Sequence, residues 1–180
     1  MKKVIIHAVM MLTAALSFAQ TFTLKSKDLN GQVTSQQVLN GFGCTGENLS
    51  PQLVWENAPE GTKSFAMTVY DKDAPTGSGW WHWVVFDIPA TVTELKRGAG
   101  DIAKKLLPDG AIQSITDFGS AGYGGPCPPQ GDKPHQYIIT VYALKTKTLG
   151  LDAKASPALV GYYLYGNTLA KASIVAYYQR

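Results

Sequence analysis

Two histidines lie in short sequence motifs that could bind a ligand or take part in catalysis. In Trp80–Trp83 (WWHW), the imidazole of His82 is surrounded by aromatic residues. In His135-Gln136-Tyr137, the two-residue spacing puts an imidazole and a phenol side by side on one face of a strand. Both groups form hydrogen bonds with polar ligands. His135 and Tyr137 can therefore contact one ligand.

Two carboxylates directly follow a predicted strand. Asp71 and Asp73 come after the apolar run Ser64–Tyr70, and Pro75 then ends the segment. Such a loop can deliver carboxylates to a pocket at the end of the strand. Each string also has a purely structural interpretation. A histidine among tryptophans is more often a core residue, and Asp-x-Asp before a turn more often forms the turn.

Nucleotide binding and nucleophilic catalysis have no support in the sequence. The string Gly41–Gly46 (GFGCTG) matches the glycine spacing of dinucleotide sites, but Ser50-Pro51 follows where a long helix should begin. The chain has no GxSxG motif, and Cys44 and Cys127 do not form a CxxC pair. We therefore expect no cofactor, and two cysteines are too few sulfur ligands for a structural zinc site.

Short apolar runs between turn signals predict a mainly β fold in one domain. The chain of 180 residues has 18 glycines and 10 prolines, and 45% of its residues are hydrophobic. The predicted strands are Thr21–Lys25, Leu53–Trp55, Ser64–Tyr70, Trp80–Ile88, Tyr137–Leu144 and Ser173–Tyr178. In the fourth strand, strict alternation puts Trp80, His82, Val84 and Phe86 on one face and Trp81, Trp83 and Val85 on the other. Ser156 and Pro157 predict the start of a helix that runs to about Ala170.

Residues 1–19 have the features of a cleaved signal peptide. Lys2 and Lys3 precede the largely apolar stretch Val4–Leu16, and small residues precede a cleavage point after Ala19. A membrane anchor is the alternative, but it needs roughly 17–25 apolar residues. We expect residues 20–180 to form a single periplasmic or secreted domain. Loss of the two lysines lowers the net charge from +3 to +1, which gives no reason to expect a nucleic-acid partner.

The two cysteines are expected to form a disulfide. Cys44 and Cys127 are the only cysteines in the sequence, and an even number in an exported chain usually pairs. Two free thiols are the alternative.

Several strings together resemble the phosphatidylethanolamine-binding protein family. They are Asp71–Pro75 (DKDAP), Trp81–Val85 (WHWVV), Gly125–Pro129 (GPCPP) and His135–Tyr137 (HQY), in this order. The bacterial Raf-kinase-inhibitor-like branch, called YbhB/YbcL, is similar in addition at Asn48–Pro51 (NLSP) and Gly61–Phe65 (GTKSF). The resemblance implies two antiparallel β-sheets with a few peripheral helices, and a small anion pocket at the strand ends.

The resemblance also implies which residues form the pocket wall. Carried over position by position, they are Asp71, Asp73, Trp80, His82, Pro129, His135 and Tyr137. Two positions depart from the family pattern, because Lys72 replaces the usual proline and Gln136 the usual arginine. The two-residue alternation predicts that both point away from the pocket.

The implied ligand is a phosphate-bearing small molecule or a phospholipid headgroup such as phosphoethanolamine. Imidazoles and the Tyr137 hydroxyl can donate to phosphate oxygens, while Asp71 or Asp73 faces the ammonium and keeps the imidazoles protonated. These features favour a non-enzymatic binding or modulatory protein. A protein partner and a homodimer stay open. The alternative is a metal-dependent hydrolase using His82, His135 and Asp71.

Overall fold

The structure is a computed structural model that describes residues 20–180. The predicted signal peptide of residues 1–19 lies outside the described residues. The described residues form ten strands: β1 Thr23–Lys25, β2 Asn40–Gly41, β3 Cys44–Thr45, β4 Leu53–Glu56, β5 Ser64–Asp71, β6 Trp80–Pro89, β7 Glu94–Leu95, β8 Ile112–Gln113, β9 His135–Leu144 and β10 Thr168–Tyr178. One helix, α1, spans Pro157–Asn167, and a short 3-10 helix spans Ile102–Lys104.

The strands form two principal antiparallel sheets, as predicted. The large sheet has the order β10-β9-β5-β6-β8, and the small sheet has the order β1-β4-β7. A hairpin of β2 and β3 stands apart from both. The mainly β fold class is thus confirmed. None of the helices within residues 20–180 is long and apolar enough to cross a membrane.

The two faces of the large sheet pack against different elements. One face contributes Phe65, Met67 and Val141 to a first core, which Leu53 and Trp55 of the small sheet complete. The other face contributes Val84, Phe86 and Leu144 to a second core, which Val160 and Leu164 of α1 cover. The first core is therefore closed by a sheet and the second by a single helix.

Helix α1 is shorter than predicted. It begins as expected, because the Ser156 side chain accepts a hydrogen bond from the backbone N–H of Leu159. It ends at Asn167 rather than near Ala170, where the Thr168 hydroxyl donates to the carbonyl of Leu164 at 2.7 Å. Thr168 itself has extended backbone angles. Strand β10 consequently starts at this residue and not at Ser173.

The strict alternation predicted for β6 is wrong. Val69 pairs with Trp83 and Tyr70 pairs with Trp81, so His82 is one extra residue in β6. Such a bulge shifts the alternation of the residues beyond it. As a result Trp81 packs against the second core and Trp83 lies in the first core. The predicted sharing of one face by Trp80, His82, Val84 and Phe86 is wrong for the same reason, since Val84 and Phe86 belong to the second core.

Candidate functional site

A cavity of about 220 Å³ lies where β5 ends and where β6 and β9 begin. We call it the strand-end cavity. Six residues that the sequence singled out line it, namely Asp71, Trp80, His82, Pro129, His135 and Tyr137. The fold brings them together because Asp71 pairs with Trp80 on one side and with Tyr137 on the other. Antiparallel pairing thus puts the three strand ends side by side.

Asp71 and His135 form a buried pair at the floor of this cavity. The side chains are 3% and 1% exposed, and Nδ1 of His135 lies 2.7 Å from Oδ2 of Asp71. The other carboxylate oxygen of Asp71 accepts the backbone N–H of Asp73 at 2.9 Å. This contact with Asp71 occupies Nδ1 of His135. The other ring nitrogen, Nε2, lies 3.4 Å from the Asp132 carboxylate.

His82 lies in the bulge of β6 and is neutral at neutral pH. Its Nδ1 donates to the carbonyl of Gly124 at 2.7 Å, because a carbonyl oxygen can only accept. Burial lowers the pKa of His82 to about 4, against the opposing effects of this hydrogen bond and of the Asp71 carboxylate. The expectation that carboxylates keep both imidazoles protonated is therefore wrong for His82. Its Nε2 is a hydrogen-bond acceptor.

The Tyr137 hydroxyl is a buried donor. The residue is 1% exposed. Its hydroxyl makes no well-formed hydrogen bond among the described residues, although it lies close enough to the Asp71 carboxylate to interact weakly with it. Burial, together with the negative charge of Asp71, raises the pKa of Tyr137 well above its usual range. The phenol therefore stays protonated at any physiological pH.

Asp73 does not line the strand-end cavity, which corrects the predicted pocket wall. Its carboxylate accepts the backbone N–H of Gln136 at 3.0 Å and the ammonium of Lys72 at 3.2 Å. The Lys133 ammonium lies 3.7 Å away. Asp73 thus holds the loop after β5 against the start of β9. Lys72 and Gln136 do not line the cavity either.

The rest of the lining is mainly apolar. It includes Leu39, Phe42 and Phe118, which were not predicted as site residues, and Pro128, which belongs to the GPCPP string. Phe118 lies edge-on to the His82 ring at 5.5 Å and is roughly parallel to Phe42 at 6.0 Å between ring centroids. No short sequence motif predicts the contacts of Phe118 with His82 and Phe42, because these residues meet only through the tertiary fold.

The predicted disulfide is present and supports one wall. Cys44 and Cys127 are joined, with their Cα atoms 6.0 Å apart, and Cys127 lines the strand-end cavity. The bond attaches the β2–β3 hairpin to the loop that contains Gly125–Pro129, which we call the proline loop. Arg180 adds a second link, since its side chain donates to the carbonyl of Pro128 at 2.6 Å and to that of Gly43 at 3.2 Å.

The glycine string Gly41–Gly46 forms that hairpin. Phe42 and Gly43 make the turn with φ angles of +52° and +81°, as a tight two-residue hairpin requires. The geometry agrees with the exclusion of a dinucleotide loop.

The hypothesis of a metal-dependent hydrolase gains no support. Within residues 20–180, no group of three or more histidine, cysteine, aspartate or glutamate side chains is arranged to hold a metal ion. In the proposed ligand set of His82, His135 and Asp71, both carboxylate oxygens of Asp71 already take part in hydrogen bonds within the protein.

A comparison with known families agrees with the fold. The family model described as "Phosphatidylethanolamine-binding protein" matches residues 29–179. The chain belongs to this family.

Individual relatives place it in the bacterial branch. It is 51% identical over 181 residues to the UPF0098 protein YbcL of Escherichia coli, covering 99% of each chain. It is 48% identical to the UPF0098 protein YbhB of the same organism, covering 85% of this chain and 97% of that one. The crystal structure of E. coli YbcL has a TM-score of 0.86 at 54% identity, covering 88% of this chain and 98% of that chain. A homologue from Chlamydia trachomatis gives 0.73 at 25% identity, covering 88% and 97%.

Proposed function

We propose that this chain is an exported, non-enzymatic binding protein whose strand-end cavity takes a small phosphorylated ligand carrying its own cation, such as a phosphoethanolamine headgroup. The observation that carries the proposal is the Tyr137 hydroxyl. A buried hydroxyl without a well-formed hydrogen bond costs up to about 1–3 kcal/mol. A ligand oxygen in the cavity would remove this cost by accepting the hydrogen bond.

The charges around the cavity support a ligand that is not a bare dianion. None of the described residues that line it is a lysine or an arginine, and Asp71 contributes a carboxylate. A dianionic phosphate would meet this carboxylate without compensation, whereas the ammonium of phosphoethanolamine can face it. The neutral His82 adds an acceptor at Nε2 for the same ammonium or for a protonated phosphate oxygen.

The other lining residues support the same ligand. Trp80 offers an aromatic ring to an ammonium group, a contact worth about 1–2 kcal/mol when it is shielded from water. Leu39, Phe118 and Pro129 can pack against the carbon chain that joins the two charges. The matched family is also named for binding phosphatidylethanolamine.

Export is part of the proposal. It rests on the leader features of residues 1–19 and on the disulfide, because disulfides persist in oxidising compartments. Intact mass of the exported protein tests it. A mature chain that begins at Gln20 is expected, and a mature chain that keeps residues 1–19 would contradict it.

The central experiment titrates phosphoethanolamine into the Tyr137→Phe variant by calorimetry. This variant removes one oxygen atom and no carbon. A hydrogen bond to a charged group is worth about 1.5–3 kcal/mol, so affinity should fall roughly ten- to a hundred-fold. Tyr142→Phe is the matched control, because Tyr142 is also on β9 but packs against the second core. Unchanged affinity in Tyr137→Phe would contradict the proposal.

A second variant tests the assignment of the ammonium. Asp71→Asn keeps the shape of the side chain and an acceptor oxygen for His135, but removes the negative charge. It should weaken phosphoethanolamine binding more than inorganic phosphate binding, since only the first ligand carries a cation. Equal losses for both ligands would place the ammonium elsewhere.

A further inference from the structure

A second cavity, of about 450 Å³, lies on the opposite face of the large sheet. We call it the helix groove, because it runs between α1 and the strands. Its lining is mainly apolar and includes Trp81, Val84, Val160, Leu164 and Leu169. Ligand sites commonly have volumes of about 300–1,000 Å³ and apolar walls with few polar groups. The groove has the dimensions and composition of a ligand site.

The composition of α1 is unusual for a helix that covers a sheet from one side. Its sequence, PALVGYYLYGN, contains no charged residue, and only Pro157, Val160 and Leu164 are buried. Tyr162 and Tyr165 are 75% and 91% exposed, and Tyr165 borders the groove. A helix that is apolar on all sides is usually covered on all sides. Within residues 20–180, the groove side of α1 is open.

Gly161 leaves open space in the helix groove. It lines the groove from the middle of α1, and a Cβ atom added there would meet no heavy atom within 4 Å. Glycine inside a helix is destabilising relative to alanine. Packing within the described residues therefore gives no reason for a glycine here. What its missing side chain provides is space beside Val160 and Leu164.

Lys171 gives the groove one charge. It is the sole charged side chain among the described residues that line it, and it forms no ion pair or hydrogen bond with any of them. The Thr68 and Thr168 side chains add polar groups to the lining. An apolar recess with one unpaired ammonium complements a molecule that has an apolar body and one negative charge.

We propose that the helix groove binds a single-chain amphiphile with an anionic head group, of the class of the medium- and long-chain carboxylates. The hydrocarbon chain lies along Trp81, Val160 and Leu164, and the carboxylate lies at Lys171. The site is separate from the strand-end cavity, and the inference does not depend on the function proposed for that cavity.

The two glycines of α1 provide a matched test. Decanoate is titrated by calorimetry into the mature protein and into the variants Gly161→Leu and Gly166→Leu. Both positions have open space for a side chain, but only Gly161 lines the groove. Each methylene excluded from apolar contact lowers affinity about fourfold. We expect binding more than tenfold weaker in Gly161→Leu and unchanged in Gly166→Leu.

The charge is tested separately. Decanol has the same chain length without the carboxylate, and it should bind the wild-type protein about two- to fivefold more weakly than decanoate, as an exposed ion pair implies. Lys171→Met should abolish this difference. Lys154→Met, which removes the same charge from an exposed position outside the groove, should leave it intact.

Methyl NMR of the complex locates the chain. Contacts from decanoate to the methyl groups of Val84, Val160 and Leu164 are expected, and they should persist in Tyr137→Phe, which removes one oxygen atom from the other cavity. The proposal is overturned if decanoate does not bind. It is equally overturned if Gly161→Leu binds as tightly as wild type, or if the contacts fall on Leu39 in the strand-end cavity.

Discussion

The two faces of the large sheet carry different kinds of cavity, one lined by paired polar groups and the other mainly by apolar side chains. On the face of the first core, the strand ends bury an aspartate and two histidines, and Asp71, His82 and His135 each have a partner at 2.7 Å. On the opposite face, the groove beside α1 holds only apolar and uncharged polar groups apart from the exposed Lys171. Buried charges require partners at defined positions, whereas an apolar recess requires only shape.

This difference sets how each region should respond to change. The strand-end cavity depends on hydrogen bonds between distant segments and on a disulfide, so single substitutions there should alter both stability and binding. The helix groove is open and mainly apolar. Substitutions there should therefore alter binding, with small or even favourable effects on stability. The expected effects below test this contrast.

Loss of the disulfide should have the largest effect. Cys44 and Cys127 close a loop with a sequence separation of 83, and the chain-entropy model gives such a loop about 4.5 kcal/mol. The double variant Cys44→Ser/Cys127→Ser should lose most of this free energy of unfolding in urea titrations. Hydrogen exchange should also quicken in the proline loop. Reduction of the wild-type protein is the control and should match the variant, and a loss below about 1 kcal/mol would show that Arg180 alone holds the wall.

Removal of His135 should come next. His135→Ala leaves the Asp71 carboxylate buried without its partner, and breaking a buried pair in this way costs about 3–5 kcal/mol. Chemical unfolding at neutral pH measures the loss. Lys171→Met is the comparison from the other face and should change the free energy of unfolding by less than about 0.5 kcal/mol. Similar losses in the two variants would remove the contrast between the faces.

Local sequence patterns were sufficient to predict most of the polar residues that line the strand-end cavity. Asp71, His82, His135 and Tyr137 were found because each lies in or beside a recognisable strand, and the strings around them resemble a known family. Phe42 and Phe118 were not found, since they belong to loops that reach the cavity only through long-range packing. Asp73 was misplaced because the period of two does not hold in the turn after β5, where its carboxylate binds the loop instead.

The arrangement of the helix groove could not be predicted from the sequence. Strict alternation failed at His82, because a bulge depends on the pairing partner, and Trp81 therefore lies on the groove face unexpectedly. The sequence of α1 has apolar residues on all sides, so it does not indicate which side would cover the sheet. The end of the helix was also missed, since its capping by Thr168 competes with an otherwise continuous apolar pattern.

Acid should weaken the strand-end region through His82. The pKa of this residue is about 4 in the folded protein and about 6.5 in the unfolded chain. Between these values the unfolded state binds more protons, so stability falls as the pH is lowered from 6.5 to 4, by about 3 kcal/mol in full. Urea titrations across this range measure the loss.

The variant His82→Asn isolates this contribution. Its amide can still donate to the carbonyl of Gly124 but does not titrate, so its stability should depend less on pH over the same window. Asp87, whose pKa burial raises, has an opposite effect on the pH dependence, but it is present in both proteins and cancels in their difference. Parallel pH profiles for wild type and variant would mean that His82 is protonated as easily in the folded state as in the unfolded chain.

Two glycines give the smallest and most local comparison of the regions. Gly79, beside the strand-end cavity, has a φ angle of +68°, and a Cβ there would collide with the Tyr70 hydroxyl and lie 2.6 Å from the carbonyl oxygen of Asp71. Gly161 has helical geometry and open space.

Gly79→Ala should therefore lose at least about 1–2 kcal/mol, the cost of a left-handed residue with a side chain. Gly161→Ala should gain about 0.5–1 kcal/mol, because alanine favours the helix. Thermal unfolding of the two variants measures both signs. A destabilised Gly161→Ala would mean that the groove is closed in solution, since an added methyl group could then destabilise only by meeting atoms that the open groove does not contain.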